Sequence, residues 1–212
     1  MDDFVVKRTS ASRKFKLVPA GSHLARCYRL VDLGTQKTEY LGTPKINRKI
    51  MLGWELFGED EDGQSLVTEE NKPMAIFKNY TMSWADMSTL RKDLQSWRNK
   101  AFTPKEMDEF DLKTIVGAYC MLNVVHKSTE NNIYANVGGI GPVPTIIKQA
   151  GLPSPVNENQ IFMISKPDMR IFETFGEGLR NKIESSPEWQ MRNKRVVQAP
   201  SAFDDMSDDV PF

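Results

Sequence analysis

The 212-residue chain has only two cysteines and two histidines. Two cysteines cannot build the disulfide framework of a small secreted domain, so a reducing cytoplasm is expected. No apolar run approaches the roughly 18 residues that a membrane-spanning helix needs. The opening Met-Asp-Asp-Phe does not read as an export signal. The usual catalytic motifs are missing as well. There is no Gly-x-Ser-x-Gly, no P-loop, no Gly-x-Gly-x-x-Gly and no His-Glu-x-x-His. Gly138-Gly139-Ile140-Gly141 runs into Pro142 rather than a helix, so it offers no helix N-terminus to a phosphate. His23 and Cys27 share a strand parity, as do Cys120 and His126. Four residues along a strand span about 13 Å, whereas zinc ligands sit ~2.0–2.3 Å from one ion. No metal and no cofactor are expected. Nuclease chemistry would need acids converging in a cleft, and here they gather in a loop and a tail. The chain is therefore read as a non-enzyme. At 40% hydrophobic and 26% charged residues, one domain or one and a half can still bury a sizeable core.

The formal net charge is zero, but the charges are segregated. Residues 4–50 hold eleven Lys/Arg against Asp32 and Glu39, a local +9. Residues 55–70 hold seven acids and no base. The last dozen hold four acids and no base. Such asymmetry points to a polyanionic partner for the basic part and a separate role for the acidic end. The run Glu59-Asp60-Glu61-Asp62-Gly63 lies between two β-rich segments and reads as a solvated hairpin loop.

Hydrophobic periodicity orders the chain. Residues 1–16 are polar and basic, a flexible arm. Residues 22–33 alternate as a strand that Gly34 breaks, and 35–44 form a loop or hairpin. A second strand covers 46–57, with Ile46, Ile50, Leu52, Trp54 and Leu56 on one parity and Gly53 suggesting a bulge. A third covers 75–82. Then the period becomes helical, through Met87, Leu90, Leu94 and Trp97, behind a Ser83 cap. Thr103-Pro104-Lys105-Glu106 is a capping box with proline at the first helical position. Strands follow at 120–125 and 133–140. Strand, strand, strand, helix, strand, strand is the order of the OB-fold, a five-stranded Greek-key barrel with its helix between the third and fourth strands. The chain is thus expected to be mainly β, with the barrel at 17–142. An extension at 143–196 packs on it. It holds an extended stretch at 141–166, an amphipathic helix through Met169, Phe172, Phe175, Leu179 and Ile183, and a short helix start at Ser186-Pro187. Residues 197–212 lack a core pattern and are expected to be disordered.

Sequence-tolerant binding of single strands requires a basic groove for phosphate and exposed rings for stacking. The first three strands supply candidates for both: Arg26, Tyr28, Arg29, Lys45, Arg48, Lys49, Phe77, Lys78 and Tyr80, with Tyr134 on the fifth strand. Arg26, Tyr28 and Lys49 alternate away from apolar neighbours. Trp54 shares its face with Ile50 and Leu52 and reads as core. Tyr80 stands open between core and surface.

The C-terminal residues, Asp204-Asp205-Met206-Ser207-Asp208-Asp209-Val210-Pro211-Phe212, are the most specific signal. They resemble the acidic tip of bacterial single-stranded DNA-binding proteins, which closes on an aliphatic residue, Pro and Phe. Leu24-Ala25-Arg26-Cys27-Tyr28, Ile50-Met51-Leu52-Gly53-Trp54-Glu55-Leu56, the helix segment 90–98 and Tyr134-Ala135-Asn136-Val137 resemble OB-fold single-stranded DNA-binding proteins of tailed bacteriophages. The resemblance implies a protein that coats single strands in replication, recombination and repair, and recruits partner enzymes through Asp204, Asp205, Asp208, Asp209, Val210, Pro211 and Phe212. A terminal carboxylate beside Phe212 offers a charge and an aromatic plug together, which a basic-rimmed apolar pocket would accept. The same acids could compete with DNA for the body's own groove. Monomer and dimer are both open, as are an RNA-binding module and an acid-site nuclease as alternatives.

Overall fold

The computed structural model describes residues 16–40, 42–60, 62–130 and 132–198. The expected arm therefore lies outside the described residues except for Lys16, and the acidic tip lies wholly outside them. Six strands carry the fold: β1 (Gly21–Tyr40), β2 (Thr43–Phe57), β3 (Ala75–Thr81), β4 (Tyr119–Ser128), β5 (Ile133–Gly141) and β6 (Gln160–Phe162). Five are antiparallel in the order β3-β2-β1-β4-β5, and β6 adds parallel to β1. The sheet is mainly antiparallel and open, and its two end strands, β3 and β5, curl back into contact as in a barrel.

The first strand runs farther than its sequence suggests. Gly34 does not end it; β1 continues in register with β2 to Tyr40↔Thr43. Two bulges absorb the bend. One falls between Cys27 and Arg29, leaving Tyr28 as the extra residue, and the other between Asp32 and Gly34. Gly34 adopts φ +68°, and a Cβ there would lie 2.5 Å from Ser186 Cβ. The expected bulge at Gly53 sits instead on the facing strand.

Between β3 and β4 come α1 (Thr89–Arg98), α2 (Pro104–Glu109) and a 3-10 turn at Leu112–Ile115. The Ser83 cap is corrected: α1 starts after Ser88, and the Ser83 hydroxyl instead accepts from the Ala85 amide. Met87 is left outside the helix and exposed. The capping box forms as read, Thr103 Oγ1 accepting from the Glu106 amide and Glu106 accepting from the Thr103 amide.

Period-two alternation builds the main core. Ile50, Leu52, Trp54 and Leu56 point inward with Ala25, Cys27 and Leu30, and Leu90, Leu94 and Trp97 of α1 pack on them. Trp54 is fully buried, its indole Nε1 without a hydrogen-bond partner among the described residues. Ile46 shares the parity yet is 66% exposed, because the β1–β2 hairpin projects past the core.

The remaining segments are α3 (Thr145–Ala150), α4 (Met169–Glu173), α5 (Glu177–Glu184) and α6 (Pro187–Gln198). The single helix expected over 169–183 is two, split at Gly176, which N-caps α5. Its apolar residues still serve one purpose. Phe172, Phe175 and Ile183 join Phe162, Ile164 and Trp189 in a second core against Val31, Leu33 and Met51. Phe172 stacks on Trp189 at 4.8 Å. The short helix start at 187 is twelve residues long, and it runs to Gln198, inside the expected tail.

Candidate nucleic-acid interface

The outer face of β1–β2–β3 carries the main cluster. The register sets Arg29 opposite Gly53, and Gly53 opposite Phe77. Gly53 has no side chain, so the Phe77 ring settles over its backbone: a Cβ there would lie 2.6 Å from Phe77 Cε1. The ring remains 41% exposed. The Arg29 guanidinium carbon lies 5.2 Å from the Tyr28 ring centre, 5.6 Å from that of Phe77 and 5.5 Å from that of Phe175. Arg29 Nε donates to Gln160 Oε1 at 2.7 Å. This fixes a cation among rings on a β-sheet face, where only partial desolvation strengthens the contact. Tyr28 meets Phe77 edge-on at 6.5 Å but is itself buried, contrary to its reading as an outward ring. The bulge turns it under Arg29.

Lys49 lies two residues along β2 from Met51 on this same face, half-buried and paired across the ladder with Thr81. Beyond it the hairpin presents Lys37, Lys45 and Arg48, all exposed. Arg48 donates to Asp32 Oδ2 at 2.6 Å, and that hydrogen bond holds its proton more tightly than usual. The rings lie at one end of this β2 strip and Lys49 and Lys45 at the other, with Met51 between them buried under the extension, while Lys37 and Arg48 take the opposite parity on the hairpin.

Four expected residues do not belong to the strip. Arg26 is buried and forms an ion pair with Glu55 at 2.5 Å. It also donates to the Asn157 carbonyl at 3.0 Å and to the Asn159 side chain. Glu55 accepts in turn from the Asn157 amide and Nδ2, both at 2.8 Å. The alternation that pointed Arg26 outward was right; the extension then covers it. Tyr80 is buried and donates to Asp93 Oδ2 at 2.8 Å. Burial pushes its hydroxyl pKa up. Lys78 Nζ reaches the same carboxylate oxygen at 2.7 Å, so it serves the β3–α1 contact. Tyr134 is 51% exposed on β5, opposite Lys127 and near exposed Val125, on a hairpin of its own.

Phe175 and Gln160 belong to the cluster and had no signal in sequence. They arrive from more than a hundred residues away through β6 pairing and the second core. His23 and His126 each meet a backbone carbonyl, of Pro19 at 2.9 Å and Val18 at 2.8 Å. Among the described residues no three His, Cys, Asp or Glu side chains gather as they would around a metal ion. No helix there is long and apolar enough to cross a membrane. No protein-family model matches the sequence, and no curated protein matches it either.

Proposed function

We propose that the chain is a sequence-tolerant single-stranded DNA-binding protein with an OB-type barrel. The observation that carries this reading is the exposed Phe77 ring, seated over Gly53 beside Arg29, with Lys49 and Lys45 farther along the same face of β2. A half-exposed ring offers one face to a base of any sequence, and base–aromatic stacking contributes ~1–3 kcal/mol per base. Lys45 and Lys49 on that face, with Lys37 and Arg48 on the other face of the same hairpin, offer cations for phosphate. The strand order supports the OB assignment: β1 pairs with both β2 and β4, the helices fall between β3 and β4, and β3 and β5 come together. The resemblance of residues 24–28 and 50–56 to phage single-stranded DNA-binding proteins supports a role in coating DNA during replication, recombination and repair. The acidic tip supports recruitment of partner enzymes.

Titrating salt against labelled poly-dT tests the reading. With four to six phosphates contacted, log affinity should fall against log salt with a slope of about −3 to −4, near −0.7 per contact. A flat salt response, tighter binding to duplex, or stronger competition by rU than by dT oligomers of equal length would reject it.

A further inference from the structure

A second apolar pocket lies away from the proposed DNA strip and shares no residue with it. It has a volume of about 320 Å³ and opens between α1, the segment around Phe110–Tyr119 and the start of α3. Four rings line it, those of Trp97, Phe102, Phe110 and Tyr119. Its two charged lining residues, Arg98 and Lys148, are both cations, and no carboxylate lines it. Arg98 is held in place: its guanidinium carbon lies 4.2 Å from the Phe102 ring centre, and Nη2 donates to Glu106 at 2.6 Å. Lys148 is exposed on α3, and Ile146 on the same short helix is 75% exposed. Another cleft among the described residues differs in kind. It is lined by Asp32, Arg48, Asp111 and Lys113, so its charges balance.

An aromatic pocket with only cations at its edge calls for an anionic ligand bearing a ring. The chain's own last residues have that composition. Asp208 and Asp209 lead directly into Val210-Pro211-Phe212. We infer that this pocket receives the segment 208–212, with the Phe212 ring inside and the two aspartates toward Arg98 and Lys148. The size fits: an apolar cavity of ~150 Å³ already admits a benzene ring, leaving room here for the proline. The reach fits as well. Fourteen residues follow Gln198, and at ~3.3 Å each they extend up to about 46 Å. A tip seated here lies off the β2 strip, so it is stored without blocking DNA. A partner enzyme takes it by offering a better pocket of the same chemistry.

The test uses the full-length chain with Phe212→Ala, which vacates the pocket, and a fluorescent peptide of residues 201–212. Saturable binding by anisotropy is expected, and the unaltered chain should bind the peptide several-fold more weakly because its own tip competes. Lys148→Glu and Thr114→Glu, both exposed at the rim and safe for folding, should each weaken the peptide about tenfold; Lys148→Arg should restore it. A peptide ending in alanine in place of Phe212 should lose at least tenfold. Lys49→Glu and saturating oligo-dT should change nothing. Absence of saturable binding overturns the inference. So does binding that dT displaces or Lys49→Glu abolishes while Lys148→Glu leaves it intact, since the tip would then sit on the DNA strip. No arm requires the chain to bind DNA, so this inference and the DNA reading fail separately.

Discussion

Phe77 owes its exposure to one missing side chain. Gly53 lets the ring lie over β2, and Arg29 holds it from the other side. Phe77→Ala should leave the unfolding midpoint nearly unchanged and cost ~1–3 kcal/mol of oligo-dT affinity, read by fluorescence titration in low salt. Gly53→Ala should displace the same ring and lower affinity without touching any charge. Arg26 predicts the opposite pattern. Its removal strands the buried Glu55 carboxylate, and losing one partner of a buried pair costs ~3–5 kcal/mol. Arg26→Met should therefore lower the urea midpoint sharply while leaving the salt slope of DNA binding as it was; Arg26→Met with Glu55→Leu should recover part of the loss. The cysteines give a pH signature. Burial raises the Cys27 thiol from 9.0 to about 12 and raises Cys120 well above 9.0. The folded state holds these protons more tightly than the unfolded one. Their stabilisation is complete below pH 9 and falls away between pH 9 and about 12. Denaturation followed across that window should show stability falling, and neither thiol should react with a maleimide in the native protein at pH 8.

The capping box of α2 works at the scale of one element. The Thr103 amide and the Arg98 guanidinium both donate to Glu106, and they hold its carboxyl down at about 2. Its support for the helix is present above the ordinary carboxylate range and is lost as pH falls toward 2. The extension is the other element with consequences. Its six apolar residues close the outer face of β1 and β2 over Val31, Leu33 and Met51. Glu188 adds a latch, accepting from the Thr35 amide at 2.9 Å and from the Thr35 hydroxyl at 2.5 Å. Burial opposes the Glu188 charge, yet these hydrogen bonds keep its pKa lowered. Trp189→Ala removes the ring stacked on Phe172 and should cost ~3–5 kcal/mol of stability, seen as a large drop in urea midpoint. A chain ending at residue 142 should be poorly soluble, because it exposes that apolar face.

At the scale of the molecule, opposite charges lie at opposite ends of the chain. The described part of the basic first segment includes the β1–β2 hairpin, the acidic loop follows β2, and the acidic tip comes last in the sequence. Asp60 accepts from the Gln64 amide and pairs with Lys16 at 3.6 Å, so part of the acidic loop balances the N-terminal cations locally.

The inward parity of β2, the capping box, the helices between the third and fourth strands and the basic first segment were legible in sequence, because each depends on neighbours within a few residues. The amphipathic stretch over 169–183 was legible as apolar, but not as two helices. What tertiary structure alone decided was which outward residues stay outward. Alternation sends Arg26 and Phe77 to the same sheet face; whether a side chain there meets water or Asn157 depends on a segment 131 residues away. Gly34 likewise reads as a break until Ser186 is seen packed against it. Periodicity assigns a residue to a face of its strand, and only long-range packing decides what covers that face.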